Sequence, residues 1–220
     1  MIVNDPSYLS PFVSNWSGFA AFLGVFLLLR VLGSPTLNRW RGDAIAVRST
    51  LRKLDPALYH VYHDVSVPRP DHQGHVEVDH VVVSQFGIFV IERVHFRGWI
   101  FGDAKQCLWT QRIRRHSRSF DNPLHQNRLH VRSIARYLGM PEDLFHPAAL
   151  FVRTAEFKTP MPDNVLNRNL LPWIMLHNTQ LLDSQALYRA TSRFDSLTRA
   201  RQRKAAAPAN AAPLKARSAG

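Results

Sequence analysis

The chain has 220 residues, 45% of them hydrophobic, enough for one domain with a sizeable core plus appendages. Lys and Arg outnumber Asp and Glu by 28 to 16, and the formal charge of +12 suits nucleic acid or anionic lipid headgroups as partners. A single cysteine, Cys107, excludes an internal disulfide framework and fits a reducing compartment; it is expected to be a buried strand residue with no catalytic role.

Residues 1–11 form a short leader that contains Asp5 and no Lys or Arg. Residues 12–33 read FVSNWSGFAAFLGVFLLLRVLG, with a continuous apolar core from Phe19 to Leu29. At about 1.5 Å per residue this stretch is long enough to cross a hydrocarbon core about 30 Å thick, with Arg30 snorkelling at one end and Trp16 near the other interface. It reads as a transmembrane helix and not as a signal peptide, which wants a basic leader and a small-residue cleavage site. Arg30, Arg39, Arg41, Arg48, Arg52 and Lys53 all follow the leader. The positive-inside rule therefore expects a single-pass membrane protein with its N-terminus outside and its domain in the cytoplasm. Residues 34–41 are expected to be a basic juxtamembrane linker suited to anionic headgroups, and residues 42–198 the folded domain.

From Ala44 onward, Ala44, Val47, Leu51, Leu54 and Leu58 recur at helical spacing with Arg48, Arg52 and Lys53 off that face, which predicts a short amphipathic helix packed on a sheet. Asp43 precedes it and reads as an N-cap accepting backbone N–H bonds. Tyr59 to Val67 is a predicted strand, ended by the turn cluster Pro68-Arg69-Pro70-Asp71. His72, His75 and His80 match no recognised zinc spacing and no cysteine joins them, so zinc is not expected.

Val76 to Gly98 reads VEVDHVVVSQFGIFVIERVHFRG, two β-branched runs around the turn signal Ser84-Gln85-Phe86-Gly87, and predicts an antiparallel hairpin. If the loop is symmetric about Gln85 and Phe86, Asp79 lies directly opposite Glu92. Opposed carboxylates about 5 Å apart repel unless something positive sits between them, and a divalent cation bound by oxygen is the economical resolution. The alternative is two acids on a solvated face. The nearly continuous Val, Ile and Phe of both runs points to strands covered on both faces, where an acid needs a partner.

Trp99 to Phe101 and Cys107 to Ile113 are two further predicted strands around Gly102-Asp103. The second leads into Arg112, Arg114, Arg115, His116 and Arg118, with Trp109 and Phe120 nearby. Such a cluster would give salt-dependent, sequence-independent nucleic-acid binding; a solvated loop or a second lipid contact are the other readings. Asn122 caps a predicted helix with Pro123 at its first position, Gly139 stops it and Pro141 follows. Its apolar face is Leu124, Val131, Ile134, Ala135 and Leu138, and Arg128, Arg132 and Arg136 form an adjacent stripe. Ala148 to Val152 reads as a core strand, Phe157 to Pro162 as irregular, Leu170 to Leu176 as a last strand weakened by Pro172, and Leu181 to Arg193 as a last helix. Residues 199–220 are Ala-rich and basic with no acid, and are expected to be a disordered tail.

In order along the chain, Gly42-Asp43, Val78-Asp79-His80-Val81-Val82-Val83, Gly87-Ile88-Phe89-Val90-Ile91-Glu92, Gly98-Trp99-Ile100 with Gly102, Trp109-Thr110-Gln111 and Asn122-Pro123-Leu124-His125-Gln126-Asn127 resemble the NERD (nuclease-related) domain family, a branch of the PD-(D/E)XK nuclease-like superfamily. The resemblance covers roughly residues 41 to 152. It implies an α/β fold, a mixed β-sheet flanked by helices in the restriction-endonuclease-like order, here preceded by the N-terminal transmembrane helix. It also implies Mg²⁺ held by Asp79 and Glu92 with help from Asp43, and Gln126 or Gln111 positioning groups around a phosphate.

One departure matters. The family has Glu-x-Lys where this chain has Glu92-Arg93-Val94. Residues two apart on a strand share a face, so the family's lysine would stand beside the glutamate, orient water and offset charge on the phosphate. Val94 can do neither, and Arg93 alternates to the opposite face unless a bulge re-aims it. The expectation is therefore a membrane-anchored nuclease-related protein that binds nucleic acid, DNA first, through Arg112, Arg114, Arg115, Arg118, Arg128 and Arg132, with cleavage weak or absent. The alternative is an active Mg²⁺-dependent DNA endonuclease with a relocated cation, such as Lys105 or an arginine.

Overall fold

The computed structural model describes residues 35–71 and 73–206. The expected membrane span at 12–33, His72 and residues 207–220 of the expected tail lie outside the described residues. Among the described residues no helix is long and apolar enough to cross a membrane. The chain divides into two units, Met1–Val47 and Arg48–Gly220.

Helix α1 (Pro35–Leu51) takes in the residues expected to be a linker. Pro35 is suited to its first turn, where no intrahelical N–H is needed. Gly42 and Asp43 therefore lie in the interior of a helix, and Asp43 is not its N-cap.

The second unit is built on a mixed five-stranded sheet in the order β1-β2-β3-β7-β9. Its strands are β1 (Tyr59–Pro68), β2 (His75–Ser84), β3 (Gly87–Val94), β7 (Phe145–Phe151) and β9 (Val165–Leu166). The antiparallel β1-β2-β3 meander is joined by parallel β7 and β9. Strand β3 is central, and Ile88, Phe89, Val90 and Ile91 are all fully buried, which is why its sequence is a continuous apolar run and not an alternating one. Helix α2 (Pro123–Leu138) lays Val131, Ile134 and Ala135 on one face of this sheet against Val81, Val83, Ile88 and Val90. Helix α4 (Ser184–Ala206) adds Ala190 and Phe194 to the same core.

The alternation of β1 and β2 contains a slip. Tyr62 and Val65 on β1, and Val78 and Val81 on β2, all join this one core, although residues three apart on a regular strand face opposite ways. The pairing register is the same on either side, from His63↔His80 to Val65↔Val78, and the change of facing falls at Asp64 and Asp79 between those pairs. Asp64, between them, takes up the distortion in the left-handed region at φ 50°, which a short polar side chain tolerates. The Arg48 guanidinium holds its carboxylate.

A second sheet, β6-β5-β4-β8, is formed by β4 (Gly98–Phe101), β5 (Leu108–Ile113), β6 (His116–Asp121) and β8 (Ala155–Phe157). Its inner face packs Ile100, Trp109 and Phe120 with Val94, Ala149 and Phe151. A Cβ on Gly102 would lie 2.3 Å from the Trp109 ring, so glycine is required for the indole to close this core.

The basic run after Ile113, for which a solvated loop is one of the open readings, turns at Arg114–Arg115 and returns as β6. Three expectations are corrected. Residues Leu170–Leu176 form helix α3 and not a strand, because Pro172 falls in the first turn, where its missing N–H costs nothing. Cys107 is exposed just before β5, not buried in it. Helix α4 runs on through residues 199–206, part of the stretch expected to be unstructured.

Asn122 does more than cap. Its Oδ1 accepts from Leu124 N at 2.9 Å, and its amide donates toward the carbonyls of Gln106 at 2.8 Å, Asp103 at 3.3 Å and Ala104 at 3.4 Å, tying the β4–β5 loop to α2. It is fully buried. Asn122→Ala is expected to lower unfolding stability by about 2 kcal/mol in urea titrations, and Asn122→Ser, which restores the cap alone, to recover about half.

Candidate active site and basic face

The hairpin pairs Ser84 with Gly87, Val83 with Ile88 and so on to His80 with Ile91, the register expected from a loop centred on Gln85 and Phe86. The inference that this register sets the Asp79 and Glu92 side chains face to face is corrected by the slip. With Val81 facing the helix-covered core, regular alternation would aim Asp79 there too, but Val78 takes that inward position. Glu92, two residues beyond core-facing Val90, keeps the α2 side.

Asp79 is turned to Arg93 instead. Its Oδ2 accepts from the Arg93 backbone N at 2.9 Å, and its Oδ1 accepts from Arg93 Nε at 2.8 Å and from Nη2. The Asp79 side chain is 20% exposed and that of Arg93 13%, so the pair is largely shielded from solvent. Arg93 thus becomes the counterion of Asp79, but on the side away from Glu92.

Glu92 meets α2. Gln126 Nε2 donates to its Oε1 at 3.4 Å, and His130 Nδ1 lies 3.1 Å from its Oε2. That second contact has ion-pair distance without an aligned N–H···O bond, so both atoms are buried without a directed hydrogen bond. His130 escaped the sequence reading; its spacing of four from Gln126 on a helix facing Glu92 is the signal that could have found it. Between the two, Asn127 is buried and donates to the carbonyls of Val90 at 3.0 Å and Ala148 at 2.9 Å, which fixes α2 over β3 and β7.

Val94, two residues beyond Glu92, is 6% exposed and packed in the apolar cluster of Ile100, Trp109, Ala149 and Phe151. Gln111 is buried and donates to the Arg97 carbonyl at 2.7 Å, a bond that secures the chain between β3 and β4. Lys105 is exposed in the β4–β5 loop. Asp43 belongs to the other unit of the chain.

Magnesium takes oxygen ligands in a near-octahedral shell. Both oxygens of Asp79 are engaged by Arg93, Glu92 faces an imidazole and an amide N–H, and no three His, Cys, Asp or Glu side chains gather as a cation site among the described residues. This arrangement does not fit a Mg²⁺ ion shared by Asp79 and Glu92.

At the level of the slip, His63 and His80 bring their Nδ1 atoms to 2.8 Å. His80 is fully buried and its Nε2 has no partner. Burial, followed by His63 and then Arg93, pushes the His80 imidazole down to about 3; burial, then Arg48, also lowers His63. The tautomer that costs least has His80 donate from Nδ1, leaving a lone pair unpartnered and not an N–H.

Arg112, Arg114, Arg115 and Arg118 are exposed along the β5–β6 hairpin, with Arg114 at φ 53° in its turn. The aromatic side chains expected beside them, Trp109 and Phe120, are buried in the core. Trp99 is the exposed one: Arg112 lies 5.8 Å from its ring centroid, while Arg118 sits over Phe96 at 5.1 Å. Alternation could have shown this, since a buried Trp109 places Arg112 on the opposite face. Arg128, Arg132 and Arg136 are exposed on α2; Arg132 lies 3.7 Å from Glu142, and Arg128 lines a cavity of about 390 Å³ with Glu142.

Comparison with known proteins adds a family. The family model described as the nuclease-related domain matches residues 39–152. An uncharacterized protein of Bacillus anthracis is 37% identical over 114 residues, which are 51% of this chain and 53% of that protein. This chain thus spans about half the length of the curated relative it matches. No solved structure matches.

Two outcomes are expected from these contacts. Arg93→Ala should lower stability by about 2 kcal/mol, between the values for exposed and fully buried pairs, and Arg93→Lys should recover only part because a lysine cannot fork onto the carboxylate and keep the guanidinium geometry. For His80, the folded value lies below the unfolded one, so the unfolded chain binds the extra proton. Its contribution is full above about pH 6.5 and is lost as pH falls toward 3. Urea unfolding at pH 8 and pH 5 should show a loss of about 2 kcal/mol from this residue, a slope that His80→Gln flattens.

Proposed function

The chain belongs to the nuclease-related domain family, and from that premise we propose that it is a membrane-anchored nucleic-acid-binding module whose own phosphodiester cleavage is weak or absent. The observation that carries the reading is Arg93: its guanidinium and backbone N–H occupy the carboxylate of Asp79 on the side away from Glu92. The two acids a metal would need are held apart by internal partners. Val94 adds a second obstacle, since a lysine there would have to leave water for an apolar cluster. Losing a positioned cation commonly costs orders of magnitude in rate, which is the sense in which cleavage is weak.

Binding rests on charge. Arg112, Arg114, Arg115 and Arg118 stand exposed on one hairpin, and Arg128 and Arg132 on α2, in a chain of net charge +12. Contacts of this kind neutralise phosphates and release counterions without reading sequence. The membrane part of the proposal rests on the apolar composition of residues 12–33 and the basic residues that follow it, with the domain on the cytoplasmic side. An active Mg²⁺-dependent DNA endonuclease would require Arg93 to release Asp79; the Glu92 oxygen left without a directed hydrogen bond is the one feature that favours it.

Labelled single- and double-stranded DNA incubated with the full chain in detergent, with Mg²⁺ or Mn²⁺, decides between these. Binding that weakens steeply as salt rises, with no cutting beyond that of Asp79→Ala and Glu92→Ala, is the expected result. Metal-dependent cutting lost in both variants would establish the endonuclease instead. Recovery of the full chain in the soluble fraction without detergent would remove the anchor.

A further inference from the structure

We propose that the outer face of the second sheet is a stacking platform for unpaired nucleobases, centred on Trp99; the inference rests on the nucleic-acid-binding reading above and names the class of strand it takes. Trp99 is 44% exposed on β4, while its neighbour Ile100 is fully buried, so the indole stands on the face opposite the core. Across the ladder it is paired with Arg112 on one side and Glu156 on the other. The Arg112 guanidinium lies 5.8 Å from the ring centroid and Lys158 Nζ 4.9 Å from it.

Glu156 does not make the site acidic. Lys158 Nζ lies 2.7 Å from its carboxylate, and the hydrogen bond and charge of Lys158 hold that carboxyl below the usual range. The ring itself stays 44% exposed, with the two cations close to it. Arg112 is paired with Ser117, and Thr110 with Phe101 and Ser119, so small hydroxyl side chains flank the ring along the strands. The exposed Arg114 and Arg115 lie beyond them at the hairpin turn.

A large apolar ring in water beside two cations is costly to keep open and suited to one class of ligand. A base offers a π face to the indole, and its flanking phosphates offer acceptors to Arg112 and Lys158. In a duplex the faces of the bases are stacked on one another and only edges and backbone are offered, so an indole standing on a sheet can take a base only from a single strand, loop or end. Stacking adds affinity without releasing counterions, and therefore without changing the salt slope.

The test uses the full chain in detergent with a fluorescent oligothymidylate and a duplex of equal length, read by anisotropy at several salt concentrations. Trp99→Ala is expected to weaken oligothymidylate binding roughly 10-fold or more, with duplex binding and the salt slope unchanged; Trp99→Phe, which keeps a ring, should retain most of the affinity. The double variant Arg114→Ala, Arg115→Ala should weaken both ligands and flatten the slope. Wild-type oligothymidylate affinity in Trp99→Ala, with the arginine variant still impaired, overturns the platform and leaves the basic-face reading standing. Absence of binding to either ligand by the wild type overturns both.

Discussion

The fold depends on the register of β2 against β3. Two residues, Gln85 and Phe86, close the hairpin between the paired Ser84 and Gly87, and the pairs as far as His80↔Ile91 follow from that closure. Ser84 Oγ accepts from Phe86 N at 3.1 Å and donates to the Gly87 carbonyl at 3.3 Å, while the backbone N–H groups of Leu181 and Leu182 both donate to the Gln85 carbonyl. The turn is therefore clamped from inside and from the segment leading into α4. A shift of one residue would exchange Val81, Val83, Ile88 and Val90 with the residues on the other face and take α2 off its footing. Because β3 is buried on both faces, no such shift leaves its apolar residues solvated cheaply, and the site at the end of the hairpin inherits this rigidity.

The sheet's acids and its buried histidine pair are each met by side chains from the chain. Asp79 has Arg93, Asp64 has Arg48, Glu92 has Gln126 and His130, and His80 has His63. This pattern has a functional consequence. A site whose acids wait for a metal keeps like charges close and pays for it in stability until the ion binds. Here Asp79 is already compensated, and an incoming ion would have to compete with a guanidinium that is covalently tethered next to Glu92.

Strands β1 to β3, the capped helix and the hairpin register were legible because each has a local cause: β-branched runs, Asn122-Pro123 at a helix start, Gly139 in the left-handed region at its end. The parting of Asp79 from Glu92 was not, because it depends on a distortion at Asp64 in a different strand, where an aspartate adopts a backbone conformation that sequence patterns assign to glycine. The second sheet was half legible. Its β4 and β5 were read correctly, but β6 is a strand of His, Ser and Arg whose only buried residue is Phe120, so it carries no apolar alternation to announce it. The exposed Trp99 was hidden for the same reason that Trp109 misled: both are tryptophans beside basic residues, and the pairing Trp99↔Arg112 shows which one faces out.

The two halves of the candidate site have therefore parted company in physical terms. Around Glu92, α2 supplies His130 and Gln126 from a helix fixed by Asn127 on the β3 and β7 carbonyls, an arrangement that binds the carboxylate inward. The exposed cations lie elsewhere, on the β5–β6 hairpin and along α2, where their charge is offered to solvent and to phosphates alike. Electrostatic attraction to a polyanion needs only that outward charge and not the inward acids. On the proposed reading, the groups that would hold a strand are therefore not those that would cut it, and Arg93 engages Asp79 without drawing on that outward charge.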